Sequence, residues 1–113
     1  MAEDKDKFYL EHILEAIENI DSFMFKKTKN DLLHDKLLQS AVIRQLEIVG
    51  EATKRVSQEK KEKSPQTEWK DIAGFRDVLI HDYFGIDMES VWNTVNVDVP
   101  ALKKDIQMLL DKI

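Results

Sequence analysis

The sequence predicts an all-α protein, an up-down bundle of four to five helices. Apolar residues recur at steps of three and four along most of the 113-residue chain, as on one face of an amphipathic helix. Helix breakers are rare, with three glycines and two prolines, while 35% of the residues are charged. A chain of this length suits one hydrophobic core, so we expect a single domain over residues 1–113.

The first two helices are predicted from their apolar stripes. The first is expected over about residues 4–27, and the second from a cap at Asn30 or Asp31 to about Gln58. Gly50 falls inside the second helix, where a glycine costs about 1 kcal/mol relative to alanine. A close approach by another helix would explain a glycine at this position.

The second half of the chain is divided by a charged loop that ends at Pro65, since proline cannot simply continue the preceding helix. A third helix is expected over about residues 67–83. Asp87 is a suitable cap for a fourth helix. Pro100 then either kinks this helix or begins a fifth one.

Composition excludes several classes of function. Without cysteine, the chain can form no disulfide, zinc-thiolate site or thiol nucleophile. The start lacks a signal peptide, and no apolar run approaches membrane-spanning length, so we expect a cytoplasmic protein without a membrane partner. His12 and His34 lie among charges far from any ligand set, so neither a metal nor a cofactor is expected. A net charge of −5 means that an RNA ligand must meet a locally basic surface.

The residues best suited to chemistry are Arg76, His81 and Tyr83, which fall within about two helical turns. Arg76 and Tyr83 are seven residues apart and therefore share a helical face. Asp77 and His81 form an i,i+4 pair, in which the carboxylate can accept a hydrogen bond from the imidazole and orient it. The helix thus divides into a phosphate-binding face and a proton-transfer face.

This arrangement meets the needs of RNA cleavage without a metal. His81 could take the proton of a ribose 2′-hydroxyl or protonate the leaving 5′-oxygen, and Arg76 could bind the phosphate. The acid and base roles are both filled more easily if two copies of the chain meet across a two-fold axis. On spacing alone, a histidine that caps the helix C-terminus is the ordinary explanation, and Tyr83 could equally be a core aromatic.

Two interpretations are open for each of the other charged features, Glu51 and a basic cluster. Glu51 could support the site by pairing with Arg76, or could make a surface or intrahelical ion pair. The one basic cluster could follow an RNA backbone or belong to a solvated loop, which the interleaved glutamates favour. Its members are Lys54, Arg55, Lys60, Lys61 and Lys63.

The joint pattern of residues 68–87 is far more specific than these spacings. It reads Glu68-Trp-x-x-Ile-x-Gly-Phe-Arg-x-x-x-x-His-Asp-Tyr-Phe-Gly-Ile-Asp87, and is followed by Val-Trp at 91–92 and Pro-x-Leu at 100–102. This segment resembles the HepT-like toxins of the HEPN superfamily. Residues 41–52, Ala-Val-Ile-Arg-x-Leu-Glu-x-Val-Gly-Glu-Ala, match the second helix of the same family.

The resemblance implies a HEPN-like homodimer whose Arg-x4-His motifs face each other in a composite cleft. It implies a metal-independent ribonuclease toxin paired with a MntA-like nucleotidyltransferase antitoxin. Arg76 and His81 become the catalytic pair, and Tyr83 becomes the acceptor of AMP groups that silence the nuclease. One position departs from the family, in which asparagine most often follows the motif arginine. Here it is Asp77, which adds negative charge where a phosphate should bind.

A rival interpretation is a catalytically inert helical module that docks on a nucleotidyltransferase and presents Tyr83 or a nucleotide pocket. The acidic composition and Asp77 favour it somewhat. A structural helical dimer without chemistry is the third reading.

Overall fold

The computed structural model describes the backbone of residues 2–81 and 85–113 and the side chains of residues 3–79 and 85–113. Within these ranges the secondary structure is helical and contains no strand. The predicted all-α helical bundle is therefore confirmed. Its elements are α1 (Ala2–Met24), α2 (Lys29–His34), α3 (Lys36–Arg55), α4 (Gln58–Lys61), α5 (Trp69–His81), α6 (Met88–Asn93), a π-helical turn (Thr94–Asp98) and α7 (Val99–Asp111).

Helix α3 occupies the centre of the bundle. It packs against α1, α2 and α5, while α7 packs against α1 and α2 against α6. The apolar stripes predicted from the sequence form the buried core. Its fully buried or nearly buried members include Leu10, Ile13, Ile17 and Ile20 of α1, Val42, Leu46 and Val49 of α3, and Leu102, Ile106 and Leu109 of α7. In the described part of the chain, every helix lacks either the length or the apolar character that a membrane span requires.

The predicted second helix is in fact two helices, α2 and α3, which Asp35 separates. The Asp35 carboxylate accepts hydrogen bonds from the backbone N–H groups of Leu37 and Leu38 at 3.0 and 3.1 Å, and so caps α3. An aspartate favours this N-cap position because its short side chain satisfies N–H groups that have no helical partner. The apolar periodicity continues across the break and conceals it in the sequence.

The connection from α1 to α2 is set by backbone geometry and by a capping box. Lys26 has a φ of 60°, a left-handed conformation that ends the helical run earlier than the expected residue 27. Thr28, rather than Asn30 or Asp31, is the N-cap of α2. Its hydroxyl accepts from Asp31 N–H at 3.1 Å, and the Asp31 carboxylate accepts from Thr28 N–H at 2.8 Å. These bonds lower the pKa of Asp31.

Part of the expected charged loop is the short helix α4. Asp6 of α1 is buried and accepts from the Ser57 backbone N–H at 2.8 Å and from the Ser57 hydroxyl at 2.6 Å. Ser57 also caps α4 by accepting from Lys60 N–H. The buried aspartate therefore ties the start of α1 to the segment that follows α3.

Pro100 neither breaks the last helical run nor leaves it regular. Asp87 caps α6 as predicted and accepts from Glu89 N–H at 3.0 Å. A π-helical turn then joins α6 to α7, and Pro100 lies in the first turn of α7. Proline in a continuing helix removes an N–H donor and crowds the preceding turn. A local widening to π geometry accommodates both effects without ending the run.

Gly50 lies at a close approach of α3 and α5. A Cβ atom added to Gly50 would overlap Cβ of Arg76 and lie only 2.8 Å from its Cγ. The close approach expected from the sequence is therefore present, and α5 is the helix that makes it. Only a residue without a side chain allows Arg76 to lie directly on the α3 backbone.

Substitution of Gly50 by alanine tests this packing. We expect Gly50→Ala to lower the free energy of unfolding by about 1–3 kcal/mol, because the new methyl group overfills the contact. Urea denaturation followed by circular dichroism measures the change.

Gly74→Ala is the matched control, since Gly74 lies inside α5 and a Cβ there meets no atom within 4 Å. This variant should gain up to about 1 kcal/mol from its higher helix propensity. Equal stability of the two variants would contradict the assignment.

Candidate active site

Arg76 lies at the contact of α3 and α5, held by carboxylates from both helices. Its Nη2 is 3.1 Å from Oε2 of Glu51 on α3. Its Nη1 donates to Oδ1 of the neighbouring Asp77 at 3.2 Å. The side chain is 26% exposed, so the guanidinium is oriented by the protein and still reachable from solvent. Its Nε is buried and has no hydrogen-bond partner among the described residues.

The carboxylates that hold Arg76 are themselves paired with cations of α3. Glu51 Oε1 is 3.2 Å from Nη2 of Arg55, and Asp77 Oδ1 accepts from Nζ of Lys54 at 2.9 Å. Arg55, Glu51, Arg76, Asp77 and Lys54 thus form a network of alternating charge, which we call the ion-pair network. With three cations and two anions, it carries a net charge of +1.

Both ion pairs considered for Glu51 are present, because its two carboxylate oxygens contact different partners. One makes the intrahelical pair with Arg55, and the other reaches Arg76 across the helix contact. Glu51 accordingly contacts Nη2 of Arg76, while Asp77 accepts from Nη1.

Asp77 has a partner that could not be expected from the sequence pattern. Lys54 lies 23 residues earlier, on another helix, and its ammonium is the first cause of a lowered Asp77 pKa. Arg76 lowers this pKa further. The carboxylate therefore stays ionised, and cations offset the negative charge that it brings beside Arg76.

The predicted proton-transfer group, His81, and the predicted modification site, Tyr83, lie at and beyond the end of α5. His81 is the last residue of α5, and its side chain lies outside the described residues. Tyr83 lies outside them altogether. The pairing of Asp77 with His81 and the shared face of Arg76 and Tyr83 remain predictions.

The predicted basic cluster does not form one solvated surface. Lys54 and Arg55 belong to the ion-pair network, whereas Lys60 is only 6% exposed. Burial lowers the pKa of Lys61, although the charge of Asp6 opposes this effect. Lys54 and Arg55 thus belong to the surroundings of Arg76 rather than to a separate basic surface.

A groove of about 360 Å³ opens beside Arg76, between α1 and α3. We call it the Arg76 groove. Phe8, Tyr9 and His12 line it from α1, and Arg44, Glu47, Ile48, Glu51, Ala52 and Arg55 line it from α3. The α1 residues were missed in the sequence because their aromatic character alone does not distinguish a groove from a core.

Comparison with known proteins gives a family and relatives that match most of the chain. Residues 13–109 match the family described as Ribonuclease HepT-like. A Thermococcus cleftensis protein named probable ribonuclease HepT is 47% identical over 103 residues, which cover 91% of this chain and 94% of the relative. A protein of Caldanaerobacter subterraneus with a provisional RNase name is 41% identical, with 92% and 93% of the two chains covered.

A further relative is longer than this chain. It is a Methanocaldococcus jannaschii protein whose name joins a gamma-glutamylcyclotransferase to a provisional RNase, and it is 44% identical over 95% of this chain. The chain spans about half of its length, 48%. No solved structure gives a significant match.

The cross-helix pair of Lys54 and Asp77 predicts how Asp77 titrates. Its carboxyl should titrate below the ordinary value of 3.8, and Lys54→Met should raise its pKa toward that value. A pKa lowered by folding means that the pair stabilises the fold above that ordinary pKa and stops doing so as the pH falls through the folded one. Carboxyl-carbon NMR against pH measures the shift.

Lys103→Met is the control, because it removes a lysine that pairs with Asp21 at 2.9 Å. An Asp77 titration that is the same in wild type and Lys54→Met would show that the pair does not form in solution.

Proposed function

Since the chain belongs to the HepT-like ribonuclease family, we propose that it is the RNA-cleaving toxin of a toxin–antitoxin pair, a metal-independent endoribonuclease. The observation that carries this proposal is the placement of Arg76. It combines a guanidinium oriented by Glu51 and Asp77, solvent access, and a position five residues before His81 on the same helix.

Arg76 would bind the phosphate that is cleaved. A phosphate oxygen can replace Glu51 on the guanidinium, and Glu51 can keep its bond to Arg55. The ion-pair network has a net charge of +1, so one phosphate charge neutralises it. In the transition state, the same guanidinium would stabilise the charge that builds on the non-bridging oxygens.

His81 would transfer the protons. In the first role its imidazole accepts the proton of the 2′-hydroxyl as the 2′-oxygen bonds to phosphorus. In the second role a protonated imidazole donates to the 5′-oxygen as its bond to phosphorus breaks. The products are a 2′,3′-cyclic phosphate and a free 5′-hydroxyl.

Two copies of the chain would complete the site. Each contributes one Arg76 and one His81, so a homodimer with facing motifs supplies both an acid and a base. We assign the whole of residues 1–113 to one HEPN domain of this kind. Asp77 would orient His81 through Oδ2, since Oδ1 accepts from Lys54 and Arg76. Glu51 would act as a positioning residue for Arg76.

Silencing would come from a MntA-like nucleotidyltransferase antitoxin. The Tyr83 phenol oxygen attacks the α-phosphorus of ATP, loses its proton, and releases pyrophosphate, which leaves AMP esterified to the tyrosine. The helical spacing expected for Arg76 and Tyr83 would put this anionic group on the phosphate-binding face. AMP would then exclude RNA by occupancy and by charge.

The second candidate is the inert binding module that docks on the nucleotidyltransferase. The observation in its favour is that Arg76 already faces two carboxylates, Glu51 and Asp77. The assay of unmodified protein separates the two functions.

Purified protein without AMP should cleave RNA in EDTA and leave 2′,3′-cyclic phosphate ends. Arg76→Ala and His81→Ala should each lower the rate by at least about 100-fold, because each removes transition-state stabilisation or proton transfer. Gel and mass analysis of the products measure the cleavage, and circular dichroism verifies the helical fold.

Lys103→Ala should cleave like wild type, since this lysine pairs with Asp21 outside the site. Unchanged cleavage in both Arg76→Ala and His81→Ala would overturn the catalytic assignment. A wild-type protein without activity would favour the inert module.

Co-expression with a MntA-like nucleotidyltransferase should raise the intact mass by whole AMP increments. Tyr83→Phe should remove them, because the acceptor oxygen is absent. Tyr9→Phe is the matched control, since the chain has two tyrosines, and it should keep the full mass increase. Persistence of the increments in Tyr83→Phe would place the modification elsewhere.

A further inference from the structure

Three ring-bearing side chains of α1 lie together at the protein surface. The Phe8 ring lies 4.3 Å from the His12 ring, centroid to centroid, and 5.3 Å from the Tyr9 ring in an edge-on arrangement. Phe8 is 56% exposed, whereas Leu10 and Ile13 of the same helix are fully buried. The bundle core therefore does not account for Phe8.

This cluster shares the Arg76 groove with three guanidinium groups. Arg44 and Arg55 of α3 and Arg76 of α5 line the groove together with Phe8 and His12. Ile48 and Ala52 supply apolar lining between them. The groove thus combines a ring that can stack with cations that can meet phosphate.

We propose that Phe8 and His12 form a stacking subsite for one base of the RNA substrate, next to the phosphate bound by Arg76. The proposal rests on the proposed ribonuclease function and adds a substrate-binding residue that its catalytic pair does not include. A base stacked on Phe8 would fix the ribose and phosphate that follow it. Arg44 would meet a neighbouring phosphate.

Charge favours RNA as the occupant. The whole chain has a net charge of −5, but the groove lining holds three arginines against two glutamates, Glu47 and Glu51. This is a locally cationic surface on an acidic protein, as RNA binding requires.

Size and shape agree with a nucleotide. The volume of about 360 Å³ falls within the range of about 300–1,000 Å³ usual for small-ligand sites. Aromatic rings beside a cationic path are how proteins bind single-stranded nucleic acid, because every base has a face that can stack. Stacking on Phe8 would therefore contribute affinity with little base preference.

The test compares Phe8→Leu, which keeps apolar bulk without a ring, with Phe8→Tyr, which keeps the ring. The binding probe is a fluorescent 2′-O-methyl RNA of mixed sequence, which lacks the 2′-hydroxyl needed for cleavage. Phe8→Leu should weaken its binding about tenfold, and Phe8→Tyr should bind within about twofold of wild type. With cleavable RNA, Phe8→Leu should raise KM by a similar factor and leave kcat within about twofold.

Phe25→Leu is the matched control. Phe25 is 69% exposed and does not line the groove, so its loss should change neither binding nor KM. Light scattering on each variant follows the oligomeric state.

Three other results would contradict the stacking subsite, and each can be distinguished from the others. If wild type cleaves RNA and Phe8→Leu binds and cleaves equally well, the subsite is wrong and the ribonuclease function stands. If Phe8→Leu separates the copies of the chain, the groove is a protein interface. If wild type neither binds nor cleaves RNA, the proposed function fails together with the subsite.

Discussion

The close approach of α3 and α5 at Gly50 is the constraint on which the rest of the site depends. Because Gly50 has no side chain, the stem of Arg76 lies on the α3 backbone where a Cβ would otherwise overlap it. This short separation of α3 and α5 lets Glu51 reach Arg76 and Lys54 reach Asp77, each across the helix contact. A wider separation would remove both cross-helix pairs and leave only the pairs within one helix, Glu51–Arg55 and Arg76–Asp77. The packing of a single glycine therefore determines the electrostatics of the site.

The ion-pair network orients the Arg76 guanidinium, but its carboxylates also occupy part of the guanidinium that a ligand would use. A long, exposed arginine samples many rotamers, and binding phosphate would then require ordering it. Glu51 and Asp77 do this ordering in advance, at 3.1 and 3.2 Å from the guanidinium. In the proposed function, a phosphate would compete with these carboxylates for the guanidinium. Glu51 can be replaced without being left unpaired, because its other oxygen keeps the ion pair with Arg55 on the same helix.

Features that follow from helical periodicity and propensity could be predicted from the sequence, whereas most contacts between distant side chains could not. The stripe of Val42, Leu46 and Val49 was readable as core, and Gly50 as a close approach, because both follow from helical periodicity and propensity. The break at Asp35 was missed because the periodicity continues through it. The partner of Asp77 was missed because Lys54 is 23 residues away, and only the packing of α3 on α5 brings them together.

Asp77 shows why the cross-helix contact changes the functional argument. In the sequence, a carboxylate next to the phosphate-binding arginine is a source of repulsion. In the structure, Lys54 and Arg76 both donate to its Oδ1, so the charge near Arg76 is that of a network with three cations and two anions. An asparagine at this position would need no such partner. The charges of Lys54 and Asp77 cancel, so the pair leaves the same net charge near Arg76 as an uncharged residue without a partner. An aspartate at this position is therefore compatible with phosphate binding.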